Sequence, residues 1–220
     1  RSGIRGPGES QVLRLLSIDG ATAERIPLEQ GSFLGPRFSP DGRYLAYAWG
    51  ENARRHDIYT FDLLTQDREQ LTTEHFSDAP VWSPDGEWIA FTAFTDRPEI
   101  RIVPAVGGRE PQALRIGVFN QLEIMEWLDD DRLVVQAIDP DGSDVLLVSL
   151  ERSGDEWQVA DPVPYLSAPY NETNSALSPQ GDLMAVRTDR TGSHEIWITT
   201  FPEPTGQFRA SDRSGQPTGE

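Results

Sequence analysis

The chain has 220 residues, enough to bury a substantial core, and 37% of them are hydrophobic, so it is globular rather than disordered. Its 36 acidic against 19 basic side chains leave a formal charge of −17, which repels nucleic-acid phosphates and anionic membrane surfaces. No cysteine is present, which excludes disulfides, thiolate catalysis and Cys-type zinc sites, and no apolar run reaches the roughly 18 residues of a membrane span.

Residues 1–10, RSGIRGPGES, have no apolar core and read as a linker or as what remains of a cut made upstream. Residues 11–30 carry two short apolar runs and match only the second half of the unit that follows. A ten-residue phrase then recurs: FSPDGRYLAY from Phe38 and WSPDGEWIAF from Trp82, with looser copies at Trp127 (WLDDDRLVV) and Leu177 (LSPQGDLMAV), at spacings of 44, 45 and 50 residues. A second run follows each: HDIYTFDL, PEIRIVPA, SDVLLVSL and HEIWITTF. A shorter polar segment (DREQLT, REPQAL, EWQVAD, GQFRAS) closes the unit.

The Ser-Pro-Asp-Gly element is turn chemistry. Proline presets φ at the first central position, Asp41 or Asp85 suits the second, and Gly42 or Gly86 supplies a positive φ. The run behind it is bulky on both alternating faces, Trp88 and Ala90 on one and Ile89 and Phe91 on the other. Such a strand is sandwiched between layers. Four short antiparallel strands repeating near every 44 residues describe the blades of a β-propeller, an all-β fold. The expected blades lie near 33–73, 77–115, 121–161 and 173–211, after a half blade at 11–30.

These residues carry a family resemblance. SPDG before an aromatic-rich strand, then [DE]-I-[YW] opening the next, resembles the TolB-type, WD-like propeller repeats of bacteria over about residues 11–211. The third copy departs from it, with Leu128-Asp129-Asp130-Asp131 in place of the Pro-Gly turn. The stretch from APYNETNSALSPQG to FPEPTGQFRAS is similar to propellers fused to bacterial receptor-type serine/threonine kinases. That resemblance implies a non-catalytic sensor domain, extracytoplasmic, recognising a protein, peptide or cell-envelope ligand. It also implies a ring of about six or more blades, so the four and a half counted here predict an incomplete ring. Residues 212–220 then lead toward a missing blade.

No G-x-S-x-G elbow, Gly-rich phosphate loop, H-R-D, D-F-G or H-E-x-x-H occurs, so these residues encode no hydrolase, kinase or zinc peptidase of those types. No cofactor and no metal are expected. Asp139, Asp141 and Asp144 around Gly142 resemble the front of a calcium loop, but Asp-Gly is also ordinary turn chemistry and no bidentate glutamate follows. His56 and His194 read as polar residues at strand starts, and the tryptophans as core. Glu123 and Glu126 are the best candidates for a channel carboxylate site, yet both come from one blade.

Strand direction puts the loops joining second to third strands on the same side as the linkers between blades. Those loops hold the candidate partner-binding residues Arg55, His75, Phe76, Arg97, Phe119, Tyr170, Asn171 and Arg190, together with Arg54 and Arg115. Arginine with aromatics is the composition of binding hot spots. Against this, aromatics in loops also anchor their own loop, and arginines pair with abundant acids. An alternative function is the substrate-gating propeller of a prolyl-oligopeptidase-type peptidase whose catalytic domain lies outside these residues.

Overall fold

The computed structural model describes residues 11–52, 54–128, 131–140 and 142–211. Every regular element among them is a strand, as the short, turn-bounded apolar runs require. A two-stranded sheet of β1 (Arg14–Leu16) and β2 (Ala23–Arg25) comes first. The first four-stranded sheet is β3 (Ser32–Phe38), β4 (Tyr44–Asn52), β5 (Arg55–Asp62) and β6 (Arg68–Gln70), paired in chain order. The second is β7 (Ser77–Trp82), β8 (Trp88–Phe94), β9 (Pro98–Pro104) and β10 (Gln112–Leu114). In the third, β11 (Gln121–Trp127), β12 (Arg132–Asp139), β13 (Gly142–Ser153) and β14 (Glu156–Val159) are joined by β15 (Val163–Leu166), which also pairs with β13. The fourth holds β16 (Glu172–Leu177), β17 (Leu183–Thr188), β18 (Glu195–Thr200) and β19 (Gln207–Arg209).

One serine closes each regular inner hairpin. Gly42 N–H donates to Ser39 O (2.8 Å), the Ser39 hydroxyl donates to Asp41 (2.5 Å), and the same hydroxyl accepts Tyr44 N–H (2.8 Å). Ser83 repeats all three contacts with Gly86, Asp85 and Trp88. Ser178 does so with Gly181 and Leu183, its hydroxyl reaching Asp182 instead (2.8 Å). In the third sheet Asp131 takes the glycine's place at φ +56°, and its N–H donates to Leu128 O (3.2 Å). Aspartate tolerates that region better than most residues, so the departure keeps a tight turn. Asp129 and Asp130 lie outside the described residues, as do 1–10 and 212–220.

The N-terminal segment repeats the register of a third and fourth strand: Arg14, Leu15 and Leu16 pair with Arg25, Glu24 and Ala23, as Tyr59, Thr60 and Phe61 pair with Gln70, Glu69 and Arg68. Beyond that ladder its Ile26 N–H donates to Leu13 O (3.1 Å), as Leu71 N–H does to Ile58 O (2.8 Å) in the first sheet. Its turn, Ser17-Ile18-Asp19-Gly20, has the inner-hairpin chemistry, with Gly20 N–H on Ser17 O (2.8 Å) and the Ser17 hydroxyl on Asp19 (2.5 Å).

The chain forms two compact units. One contains the described residues through Phe94 and Arg101–Pro111, and the other Thr95–Ile100 and the described residues from Gln112 onward. In the first, the β4 face formed by Ala46 and Ala48 packs with Ile58, Trp82, Ile89 and Phe91 in one core cluster. The opposite β4 face, Leu45 and Tyr47, packs with Ile26, Leu28, Phe33 and Phe61. Both faces are therefore covered, as the two-sided bulk of these strands predicts. Each buried Phe or Ile side chain contributes roughly 1.5–3 kcal/mol. In the second unit Val134, Val145, Tyr165, Met184 and Val186 form the corresponding core.

Candidate functional site

In the first and fourth sheets the loop end is shaped by the buried acid that opens the third strand. Asp57, 4% exposed, accepts the backbone N–H of His75 (2.9 Å), the Thr72 hydroxyl (3.0 Å) and His75 Nδ1 (2.7 Å). The Thr72 hydroxyl in turn accepts Ile58 N–H at 2.9 Å. In the fourth sheet Glu195, 1% exposed, meets Arg209 (3.2 Å) and the Trp197 indole N–H (3.3 Å), and the Ser211 hydroxyl accepts Ile196 N–H (2.8 Å). The [DE]-I-[YW] phrase thus has a mechanical cause. In the first sheet its acid locks the chain that leaves the outer strand, and in the fourth it ties the third strand to the outer one, because a buried carboxylate must be hydrogen-bonded.

In the first unit the loop end brings Arg55, His75 and Phe76 together. The β4–β5 junction is tighter than the sequence suggests: the strands extend to Asn52 and from Arg55, which are paired. Gly50 makes this possible, since a Cβ there would lie 1.6 Å from Arg55 O. Arg54 and Arg55 are exposed at the junction. Next to them His56 N–H donates to His75 O (3.2 Å), and His56 bridges Phe76. His56 itself is buried against the Ser32 hydroxyl (3.0 Å), and burial lowers its pKa. His75, at φ +66°, is held by Asp57. Phe76 stays 50% exposed, and Phe94, whose N–H donates to Phe76 O at 2.7 Å, is 43% exposed.

In the second unit Arg97 and Arg115 line a cleft of about 300 Å³ between Thr95–Glu99 and Leu114–Gly117, with Leu122 contributing to its wall. Phe119 is half-buried and folds back on Gly117, where a Cβ would come within 2.9 Å of its ring. Asn171 is committed to Asp189 by its backbone N–H (2.8 Å) and its side-chain amide (2.7 Å), and this bonding holds the Asp189 carboxyl below its usual range. The Arg190 guanidinium lies 5.7 Å from the Tyr170 ring and 4.1 Å from the Trp197 ring, and it donates to Gln207 (2.6 Å). Tyr170, Asn171 and Arg190 therefore converge, each with a partner within its own loop cluster.

Two residues here were not singled out in the sequence. Phe94 reads as a strand end until its exposure is seen. Glu172, 3% exposed, has an Oε2 with no hydrogen-bond partner among the described residues. Burial, and then the neighbouring Asp144 charge, push its carboxyl up to about 7, while Arg190 opposes the shift. The calcium motif is not assembled among the described residues. Asp139 accepts Asn120 N–H (3.1 Å), Asp144 accepts the Ser167 hydroxyl (3.3 Å), and Asp141 lies outside them. Among the described residues no three His, Asp or Glu side chains converge to hold a metal. Glu123 and Glu126 are both exposed on β11.

No family model matches the chain. Over 85 residues it is 37% identical to the Tol-Pal system protein TolB of Alcanivorax borkumensis, covering 38% of this chain and 20% of that protein. The crystal structure of TolB from Acinetobacter baumannii superposes with a TM-score of 0.75 at 21% identity, over 94% of this chain and 49% of that one. A prolyl endopeptidase structure matches with a TM-score of 0.59 at 14% identity, over 93% of this chain and 33% of that one. The chain thus spans half or less of each of these proteins. The repeated four-stranded antiparallel sheets and this likeness define a β-propeller fold. More particularly, the chain is similar to TolB, in sequence over those 85 residues and in fold over 94% of its length.

Proposed function

We propose that this chain is a non-catalytic recognition module that binds a protein, peptide or cell-envelope ligand through the loop ends of its sheets. One observation carries the reading: at the loop end of the second sheet Phe76 and Phe94 stand about half exposed, although the rest of that sheet's inner strands is packed. Likeness to a Tol-Pal system protein supports an envelope setting and an extracytoplasmic location. The kinase-like final repeat supports fusion to a membrane-anchored serine/threonine kinase, and the charge of −17 argues against nucleic acid as the partner. The test is capture of a defined envelope protein by the wild-type chain and by a triple variant, Phe76→Ala, Phe119→Ala and Tyr170→Ala. Retained folding with at least tenfold weaker capture is expected. Unchanged capture refutes the placement.

A second reading, the substrate-gating propeller of a prolyl-oligopeptidase-type peptidase, is favoured by the endopeptidase likeness. Sequencing the gene on both sides of this stretch decides between them. A G-x-S-x-G elbow downstream would support the peptidase, and a kinase catalytic loop upstream the module.

A further inference from the structure

The same pair of positions closes the loop end of every four-stranded sheet, and its occupants can be compared. Pairing places Ser32 opposite Gly50 in the first sheet. Counted from the turn-end pairs Phe38–Leu45, Trp82–Ile89, Trp127–Leu133 and Leu177–Met184, the same place holds Gln121 opposite Ile138 in the third sheet and, one residue beyond the ladder, Asn171 opposite Asp189 in the fourth. The fourth-sheet pair is a clasp, Asn171 donating twice to Asp189 at 2.8 and 2.7 Å, and the third sheet has a single bond of this kind one pair further out, Asn120 N–H on Asp139 at 3.1 Å. None of these three sheets fills this place with an aromatic ring. In the second sheet the same step from Ser77 and Ala93 leads to Phe76 and Phe94. They are 50% and 43% exposed and joined through Phe94 N–H on Phe76 O. Nothing in the hairpin requires two aromatic rings in water where a polar clasp serves elsewhere.

The charge beside this pair has a sign. Arg54 and Arg55 are exposed, and neither has an ionic partner among the described residues, in a chain whose net charge is −17. Of the nearby acids Asp57 is committed to His75 and Glu74 to Arg101, Asp78 is half-buried and accepts Ala79 N–H, and Glu51 is exposed. We propose that the Phe76–Phe94 pair, with Arg54 and Arg55 beside it, is a docking surface for an extended acidic peptide segment carrying an apolar anchor. The rings take the anchor and exclude water from it. The guanidinium groups, planar and weakly hydrated, take the flanking carboxylates. This deepens the recognition-module reading and rests on it.

The probe is a fluorescein-labelled peptide of sequence DEFDEF, titrated against the 220-residue chain by fluorescence anisotropy. Saturable binding is expected, at least tenfold tighter than for KKFKKF or DEADEA and weakening as salt is raised. The double variant Phe76→Asn with Phe94→Asp installs the clasp that the fourth sheet carries at this place, so its fold is provided for. It should bind at least tenfold more weakly, as should Arg54→Glu with Arg55→Glu, at an unchanged melting temperature. Absence of saturable binding, or equal binding by the clasp variant, overturns the inference. If the clasp variant binds DEFDEF normally while Phe119→Ala with Tyr170→Ala loses it, this surface is wrong and the recognition module stands. If an identified envelope partner is lost in the triple variant but DEFDEF never binds, the module again survives and this inference does not.

Discussion

At the turn end of the first, second and fourth sheets one serine accepts the N–H that opens the second strand, whereas at the loop end the paired positions hold Ser32 and Gly50, Phe76 and Phe94, Gln121 and Ile138, and Asn171 and Asp189. The difference follows from what each end must do. The turn end reverses the chain within four residues, and only a few residue types satisfy the dihedral angles and the orphaned N–H groups that result. In the first sheet the loop end is fixed from behind by Asp57 gripping the departing chain, and in the fourth Glu195 ties the third strand to Arg209 of the outer strand, so the rim residues in front of these anchors are released from a structural duty. Variation at the rim is therefore where recognition can be written.

The largest effect should come from cutting an anchor. Asp57→Ala leaves His75 N–H, the Thr72 hydroxyl and the His75 ring without their common acceptor, and should cost about 2–4 kcal/mol in urea denaturation. A loss below about 0.5 kcal/mol would show that the rim holds itself in place. Glu172→Gln tests the rim of the fourth sheet and carries a pH signature. Its carboxyl sits at about 7 in the folded chain against an ordinary 4.5, so the unfolded chain gives up that proton first as pH rises. The contribution of this group to stability is fullest below about 4.5, falls through the interval to about 7, and is flat beyond it. The variant should match wild type in thermal melts at pH 4.5 and exceed it by roughly 1–3 kcal/mol at pH 8. A constant difference at both pH values would mean that Asp144 and burial do not hold the proton. At the turn end, Ser39→Ala, Ser83→Ala and Ser178→Ala should each cost about 1 kcal/mol and by similar amounts, since each removes the same contacts. Widely different losses would break the comparison.

Much of the fold was legible because turn chemistry is written in residue types. Ser-Pro-Asp-Gly announces itself, and two-sided bulk in WIAF signals burial on both faces, which Trp88 to Phe91 display. Where the same geometry is met by other residues the signal fades. Ser17-Ile18-Asp19-Gly20 and Asp131 make the turn without proline or without glycine, and β15, with Pro164 inside it, does not look like a strand that pairs. The site was less legible for a different reason. Arg55 and Phe76 could be placed on a loop by counting strands, but whether an arginine or histidine is spoken for depends on a partner distant in sequence. Asp57 takes His75 from 18 residues away, and Arg190 is held by Gln207 from 17 residues away. Glu172 carries no mark of its burial in the letters around it.

The smallest effect is the most informative about the rim. Asp189→Ala removes an exposed clasp and should cost about 0.5 kcal/mol, within the range of surface polar contacts. Phe94→Ser, at the corresponding place in the second sheet, should lie within about ±0.5 kcal/mol of wild type, because a ring already 43% exposed has little burial to lose and its backbone N–H still reaches Phe76 O. Paired chemical denaturation of the two variants reads both values on one scale. If Phe94→Ser costs 2 kcal/mol or more, the ring is a structural plug and the second sheet's rim obeys the same rule as the clasps. If it is neutral, the aromatic pair adds nothing to the fold that a clasp would not, and its reason for standing in water lies in what it meets there.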